Sequence, residues 1–188
     1  LSRALKLTEV MVEDFYDKNG GFFIGSKNAE KLMVRAKDYY DGAIPSGNSA
    51  AIYSLFKLGK ITGNTDWINI AHETHKAFSD QAKSNPSGFT YMLTGLLFDL
   101  SSCKELIIVI DKNKHDCKSI LKKIKKEYYP NFITIVKDIN DKNLVENIAP
   151  WIDSYMVIND KPSYFVCTNF TCKQPTNDMK TALKLLNE

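Results

Sequence analysis

Short polar side chains are concentrated in residues 41–49, together with two glycines and a proline, directly before an apolar helical pattern. Glycine and proline shape the backbone of a turn, and serine or asparagine at its end caps the following helix. Asp41 and Ser46 can accept hydrogen bonds, and Asn48 can both donate and accept them. The guanidinium of Arg35 can bind a carboxylate or a vicinal diol. Such a set suits a sugar or an anionic ligand, although a rigid, well-capped turn explains the same residues.

Carboxylates are the groups that glycoside hydrolysis would need, as a pair about 5 to 10 Å apart across the bond that is cleaved. Asp41 is the best single acid, and Asp38 stands three residues before it. Asp14 and Asp17 lie at the end of the first helical pattern. No pair is evident from the spacing, and a solvated surface position is the alternative for each carboxylate. Asp41 is therefore the one candidate catalytic residue.

Two of the three histidines, His72 and His75, stand three residues apart in a helical pattern. His75 falls on the apolar stripe of that helix, and no third ligand type stands at metal-binding spacing. An ordinary core or surface position explains both histidines. The sequence indicates no metal site and no cofactor.

Cys167 and Cys172 form a second motif, which is followed by Pro175. Their spacing permits a disulfide, a redox-capable pair or half of a metal site, and ordinary thiols remain an alternative. The other two cysteines, Cys103 and Cys117, flank the first predicted strand and its helix. We interpret Cys167 and Cys172 as a candidate thiol pair.

Four segments together carry a family pattern: Gly-Gly-Phe-Phe at 20–23, Lys-Leu-Met-Val-Arg at 31–35, the block 41–49, and residues 164–175. They resemble, nearly end to end, the C-terminal portion of the YyaL family, the relatives of spermatogenesis-associated protein 20. The resemblance implies an N-terminal thioredoxin-like domain followed by a six-hairpin α/α toroid similar to N-acylglucosamine 2-epimerases and glycosidases. Because the chain starts inside a helical pattern and shows no thioredoxin-like part, we expect it to be a fragment.

The motifs and the family resemblance lead to two hypotheses about function. In α/α toroids the ends of the inner helices line a funnel, which would place Arg35, Asp41, Ser46 and Asn48 against a sugar or sugar-derived small molecule. The leading hypothesis is carbohydrate binding or processing. We carry over no catalytic histidine, because neither His72 nor His75 lies in a segment that matches the epimerase pattern. The alternative is a non-catalytic scaffold, or a thiol/redox-associated module that serves a thioredoxin-like domain outside this chain.

The elements that position these residues fall into two parts: helical hairpins of an incomplete α/α toroid at 1–104 and a small α/β element at 105–188. Apolar stripes predict helices over about 5–16, 52–59, 68–82 and 89–100, with a short extended stretch at 22–24. After residue 102 the period changes. Strands are predicted at 105–111, 132–137 and 164–167, with helices at 114–128, 143–149 and 177–186, and Pro130 stops the helix that starts at 114. The fold class is thus mainly α with a smaller, three-stranded α/β layer.

The net charge of +3 is too small to favour a nucleic-acid partner, and the lysine-rich helix at 114–128 is typical of a solvated outer face. Residues 111–115 lack the glycines of a phosphate-binding loop. No apolar run approaches the roughly 20 residues of a membrane span. Sparse cysteines favour a reducing compartment, so we expect a cytoplasmic protein without a membrane partner. An incomplete toroid would expose an apolar edge, which predicts self-association.

Overall fold

The chain divides into two compact units, Leu1–Leu100 and Ser101–Glu188. The computed structural model describes residues 1–30, 33–101, 103–126, 131–169 and 171–188. Helices make up the first unit, and the second combines helices with one sheet. The predicted fold class, mainly α with a smaller α/β part, is confirmed, whereas the α/α toroid stays a prediction.

The helices of the first unit are α1 (Ser2–Phe15), α2 (Gly47–Thr62), α3 (Thr65–Ala77), α4 (Ser79–Ser84) and α5 (Thr90–Leu100). Ser46 caps the start of α2, because its side chain accepts a hydrogen bond from the Ser49 amide. The left-handed backbone of Gly63 ends α2, and the Asn64 side chain caps α3 immediately afterwards. α2 and α3 therefore form the helical hairpin that the sequence predicts.

The third predicted helix, at 68–82, is divided in the structure. Phe78 leaves helical geometry with φ −114°, and its amide bonds to the carbonyl of His75, three residues earlier. The Phe78 ring stacks on Tyr39 with 4.8 Å between the ring centroids. A new helix, α4, starts at the next residue.

α2 lies at the centre of the first unit, in contact with α3 and α5. Ile52, Leu55 and Phe56 of α2 are fully buried, and Phe98 of α5 is also buried. Gly59 permits a close approach of α3, since a Cβ atom there would lie 2.6 Å from Cγ1 of Ile68. The apolar stripe of the predicted second helix is thus the core of this unit.

The predicted extended stretch at 22–24 forms a single antiparallel bridge, between Phe22 and Tyr16, rather than a named strand. The chain reverses before it through Gly20 and Gly21, which have φ of 93° and 85°. Only glycine adopts such angles without strain. This turn brings residue 22 back beside the end of α1.

The second unit contains a four-stranded sheet in the order β2-β1-β3-β4, where the strands are β1 (Lys104–Ile110), β2 (Phe132–Asp138), β3 (Ser163–Thr168) and β4 (Thr171–Cys172). β1 and β2 are parallel, as the predicted order of strand, helix and strand allows. β3 is antiparallel to β1, and the short β4 pairs with β3 as a hairpin. The sheet has one strand more than predicted, because β4 has only two residues, too few to show an alternating pattern.

The helices of the second unit are α6 (Cys117–Ile124), α7 (Asn143–Asn147) and α8 (Met179–Asn187). One face of β1, with Leu106, Ile108 and Ile110, packs on apolar residues of α6 and α8. β1 is buried on both faces, as predicted for its continuous apolar run. α6 starts after its cap, Asp116, three residues later than predicted. The predicted end of this helix at residue 128, and Pro130, lie outside the described residues.

Candidate functional site

The Asp41 carboxylate is a backbone clamp between the turn at 41–46 and the start of α5. One oxygen, Oδ1, accepts from the Ser46 amide at 2.9 Å. The other, Oδ2, accepts from the amides of Tyr91 and Met92 at 2.8 and 3.1 Å. Both amides belong to the first turn of α5, whose N–H groups have no partner inside the helix. Asp41 thus caps α5 from fifty residues away and is 7% exposed.

The charge of Asp41 is stabilised by these donors. Burial raises the pKa of the carboxyl, but the hydrogen bonds that it accepts together hold the pKa below its ordinary value. A general acid needs the opposite shift, towards the working pH. The environment of Asp41 therefore favours a permanently ionised acceptor.

Asn48 is a second clamp, between α2 and the segment after the glycine turn. Its Oδ1 accepts from the Phe22 amide at 2.6 Å, and its Nδ2 donates to the Phe22 carbonyl at 2.9 Å. The same nitrogen also donates to the Asp38 carbonyl at 2.6 Å. An amide nitrogen carries two hydrogens, so both donors of Asn48 are used within the protein. The side chain is 2% exposed.

Ser46 is buried beside Asp41, and its hydroxyl bonds to both the amide and the hydroxyl of Ser49. Arg35 differs from the other three candidate residues, because it is exposed. Its guanidinium donates to the Gly25 carbonyl at 2.7 Å and lies 4.0 Å from the centroid of the Phe23 ring. The structure brings Asp41 and Ser46 together, whereas Arg35 and Asn48 each bind a different segment.

A surface pocket of about 220 Å³ lies beside Asn48. Its walls are mostly apolar and come from α1, α2 and residues 22–24. Asp38 also lines it, and its carbonyl already accepts from Asn48. A sugar site normally presents several polar groups to its ligand. This pocket offers an apolar surface instead.

The remaining carboxylate candidates, Asp14 and Asp17, are held in surface ion pairs. Lys27 lies 3.5 Å from Asp14, and Lys37 lies 2.7 Å from Asp17. His72 lies 3.3 Å from Asp99. Lys27 also lies 3.3 Å from Glu13, so Asp14 shares its lysine with an exposed carboxylate, whereas Asp17 binds a different lysine.

Cys167 and Cys172 are joined by a disulfide. They are directly opposite each other in the β3–β4 hairpin, whose turn contains Asn169 with φ 49°. The Tyr155 hydroxyl lies 3.0 Å from Sγ of Cys172. Within the described ranges, no three His, Cys, Asp or Glu side chains cluster in a way that could hold a metal ion.

Two residues around this hairpin are absent from the sequence-based candidates, Tyr155 and Lys137. The Lys137 ammonium is buried and donates to the carbonyls of Ile152, Asp153 and Tyr155. Burial lowers the pKa of Lys137. The sequence does contain a sign of this role, because Lys137 follows Ile133 and Ile135 at every second residue and so lies on the same buried face of β2. Tyr155 has no comparable signal.

Hydrogen bonds join the loops after the two parallel strands, where α/β proteins often bind ligands, and a pocket of about 370 Å³ lined by Lys137, Asp138 and Asp141 lies beside the end of β2. Asp138 accepts from the amides of Lys112 and Asn140, and Asn140 also donates to Asp111. His115 accepts from the Asp111 amide through Nδ1 at 3.1 Å. These bonds lock the loop at 111–115. Across the part of the chain that the structure describes, no helix is long and apolar enough to span a membrane.

Comparison of the amino-acid sequence with known proteins identifies relatives of this chain. No known protein-family profile matches the chain. It is 28% identical to spermatogenesis-associated protein 20 of Homo sapiens, 28% identical to that of Mus musculus and 27% identical to that of Rattus norvegicus, each along 100% of the chain. The chain has homologues named spermatogenesis-associated protein 20. The resemblance inferred from the sequence motifs is thereby confirmed.

The match to the spermatogenesis-associated protein 20 relatives covers 24% of each of them, so the chain spans about a quarter of their length. Their name describes no reaction and no ligand. The relationship to spermatogenesis-associated protein 20 therefore gives a family-level link, and the chemistry has to be argued from the geometry.

Proposed function

We propose that the helical unit, Leu1–Leu100, is a non-catalytic scaffold in which the block at 41–49 joins segments that are distant along the chain. The observation that carries the proposal is the hydrogen bonding of Asn48, whose two donors and one acceptor oxygen all bind backbone groups of Phe22 and Asp38. The side-chain amide of Asn48 therefore has no N–H group left that could bind a ligand.

The second support is the Asp41 carboxylate, which accepts three backbone amides and is nearly buried. A carboxylate that binds a sugar hydroxyl needs a free lone pair that faces solvent or a cleft. The donors of Asp41 instead come from the turn and from the first turn of α5. Its energetic role is to satisfy amides that would otherwise be buried without a partner.

Carbohydrate binding or processing by Arg35, Asp41, Ser46 and Asn48 stays the competing hypothesis. A ligand at this block would have to displace internal hydrogen bonds, and each displaced bond would leave a buried amide or carbonyl at a cost of about 1–3 kcal/mol. Arg35 alone is exposed, and it lines a pocket of about 380 Å³ with Ser26, Lys27 and Glu30 rather than with the other three candidate residues. The geometry therefore favours the scaffold.

The test compares stability with ligand binding in Asn48→Ala, using Asn69→Ala as the control. Asn69 is exposed within α3, so both changes replace an asparagine in a helix. We expect Asn48→Ala to lower the free energy of unfolding by about 2–4 kcal/mol, because it removes three hydrogen bonds from buried backbone groups. Asn69→Ala should change it by less than about 0.5 kcal/mol.

The same proteins are then screened by thermal shift with mono- and disaccharides and with sugar phosphates. The scaffold proposal predicts no sugar-dependent shift in the unmodified chain. A sugar that stabilises the unmodified chain and the Asn69→Ala control, but not Asn48→Ala, would overturn it and place a carbohydrate site at this block.

A further inference from the structure

The sheet of the second unit carries a disulfide whose two sulphurs have different surroundings. Cys167 in β3 is 1% exposed, whereas Cys172 in β4 is partly exposed at the edge of the sheet. β4 is the last strand of the sheet and pairs only with β3 among the described strands. A thiol from outside the protein can therefore approach Cys172 but not Cys167.

A hydrogen-bond donor is fixed at the accessible sulphur. Since Cys172 has no S–H in the disulfide, the Tyr155 hydroxyl is the donor in its 3.0 Å contact with Sγ. The Tyr155 ring packs on Phe165 with 4.8 Å between centroids, and its carbonyl accepts from the buried Lys137 ammonium at 2.8 Å. Tyr155 is thus held from both its side chain and its backbone.

The buried sulphur belongs to the cross-strand partner of Glu105, whose charge, after burial, also raises the pKa of Tyr155. Glu105 of β1 is the cross-strand partner of Cys167 and is itself 1% exposed. Burial and a neighbouring carboxyl group both oppose a negative charge on the Cys167 sulphur. Charge on the pair is therefore favoured at Cys172, where the phenol hydrogen can bind a thiolate.

We propose that Cys167 and Cys172 form a reversible dithiol–disulfide couple that exchanges with an external dithiol, with Cys172 as the exchanging sulphur and Tyr155 as its positioning residue. The partner's thiolate attacks Sγ of Cys172, the bond between the two cysteines breaks, and its electron pair leaves on Cys167. Because the site of Cys167 opposes a thiolate, this sulphur takes up a proton from solvent. A mixed disulfide then joins Cys172 to the partner.

The second step completes the exchange. The partner's other thiolate attacks the partner sulphur of the mixed disulfide, and Cys172 leaves as a thiolate that accepts the Tyr155 hydrogen bond. Two electrons pass from the partner dithiol to the protein, and the partner becomes a disulfide. The reverse sequence oxidises the protein. This couple is independent of the scaffold proposed for Leu1–Leu100.

The experiment exposes the folded 188-residue chain to dithiothreitol at pH 7, quenches it with a thiol alkylating reagent and locates the label by peptide mass spectrometry. We expect both cysteines to become reduced without unfolding, Cys172 to be labelled before Cys167, and oxidised dithiothreitol to restore the bond. A disulfide that yields to dithiothreitol only in unfolding concentrations of urea would overturn the proposal, as would equal labelling rates at the two sulphurs.

Tyr155→Phe removes one oxygen and tests the positioning role, with Tyr164→Phe as the matched control. Tyr164 lies on the opposite face of β3, within the core formed with α6 and α8. Loss of a hydrogen bond to a charged sulphur should raise the pH midpoint of Cys172 alkylation by about one unit, a tenfold change in the thiolate equilibrium. Below both midpoints the rate should fall only about threefold, because a more basic thiolate is the better nucleophile.

Tyr164→Phe should leave that pH midpoint unchanged, because Tyr164 lies on the face of β3 opposite Cys167. An unchanged midpoint in Tyr155→Phe, with thermal unfolding like that of the unmodified chain, would remove Tyr155 from the proposal. An equal shift in both variants would show that the midpoint follows stability rather than the hydrogen bond, and would also overturn the role of Tyr155.

Discussion

Replacing Asp41 by asparagine tests whether the turn at 41–46 is held to α5 by a charged acceptor. Asparagine keeps the shape of the side chain but replaces one acceptor oxygen with a donor. If the new Nδ2 faced the amides of Tyr91 and Met92, two hydrogen bonds would become donor–donor contacts. The cheaper orientation turns Nδ2 towards the Ser46 amide and sacrifices one bond.

That orientation sets the expected magnitude. One buried donor without an acceptor costs about 1–3 kcal/mol, and loss of the negative charge at the start of α5 costs about 0.3–1 kcal/mol more. Asp41→Asn should therefore lower the free energy of unfolding by about 1–4 kcal/mol. Asp80→Asn is the control, because the Asp80 side chain is 93% exposed in the first turn of α4.

Urea unfolding followed by tryptophan fluorescence measures this loss. The chain has two tryptophans, Trp67 in the first unit and Trp151 in the second, so a Trp151→Phe background leaves Trp67 as the reporter of the helical unit. Asp80→Asn should stay within about 0.5 kcal/mol. A loss below about 1 kcal/mol in Asp41→Asn, at an unchanged denaturant slope, would refute the clamp.

The pH dependence of stability provides a second test, which compares the unmodified chain with Asp41→Asn. The folded pKa of Asp41 is lower than its ordinary value of 3.8, so its ionised form contributes stability that is complete above that value. The contribution is lost as the pH falls through the lower folded pKa. The difference in stability between the unmodified chain and Asp41→Asn should therefore narrow in strong acid and be constant near neutral pH.

Two further predictions concern the first unit. Gly20→Ala should lower the free energy of unfolding in urea by at least about 2 kcal/mol, because Gly20 has φ 93° and a Cβ there would lie 2.7 Å from the Glu73 carbonyl oxygen. Gly25→Ala is the control, because the space around its Cβ position is open, and equal stabilities of the two variants would contradict this account. His75→Leu should flatten the fall in stability as the pH drops below about 6.5. Burial lowers the folded pKa of His75, so the unfolded chain binds that proton first, and an unaltered pH profile would exclude His75 as the source.

Local features of the sequence predict most of the elements. The apolar stripe at 52–59 marks α2 because residues three and four apart share one face of a helix, and Gly63-Asn64 ends it through backbone preferences of those two residues. The β-branched run at 105–111 likewise marks β1, since a continuous apolar strand needs cover on both faces. Each signal lies within a few residues of the element that it specifies.

The partners of the polar residues were decided by the tertiary structure. Asp41 binds amides fifty residues away, and Asn48 binds Phe22, so their roles depend on how α1, α2 and α5 pack. The sequence identified these side chains as unusual but equally permitted a sugar site or a cap. A side chain's hydrogen-bonding capacity is fixed by its type, whereas its use depends on which groups the fold leaves within about 3 Å.

For the thiol pair, too, sequence and tertiary structure made different contributions. Five residues of separation permitted a bond between Cys167 and Cys172, and the register of β3 and β4 places them opposite each other. Tyr155 contacts Cys172 through its hydroxyl while its carbonyl accepts a hydrogen bond from Lys137, and neither contact has a local sequence signal. The sequence by itself thus determined most of the helices and strands and the types of the reactive side chains. Only long-range packing decided which of these side chains meet, because their partners lie in distant segments of the chain.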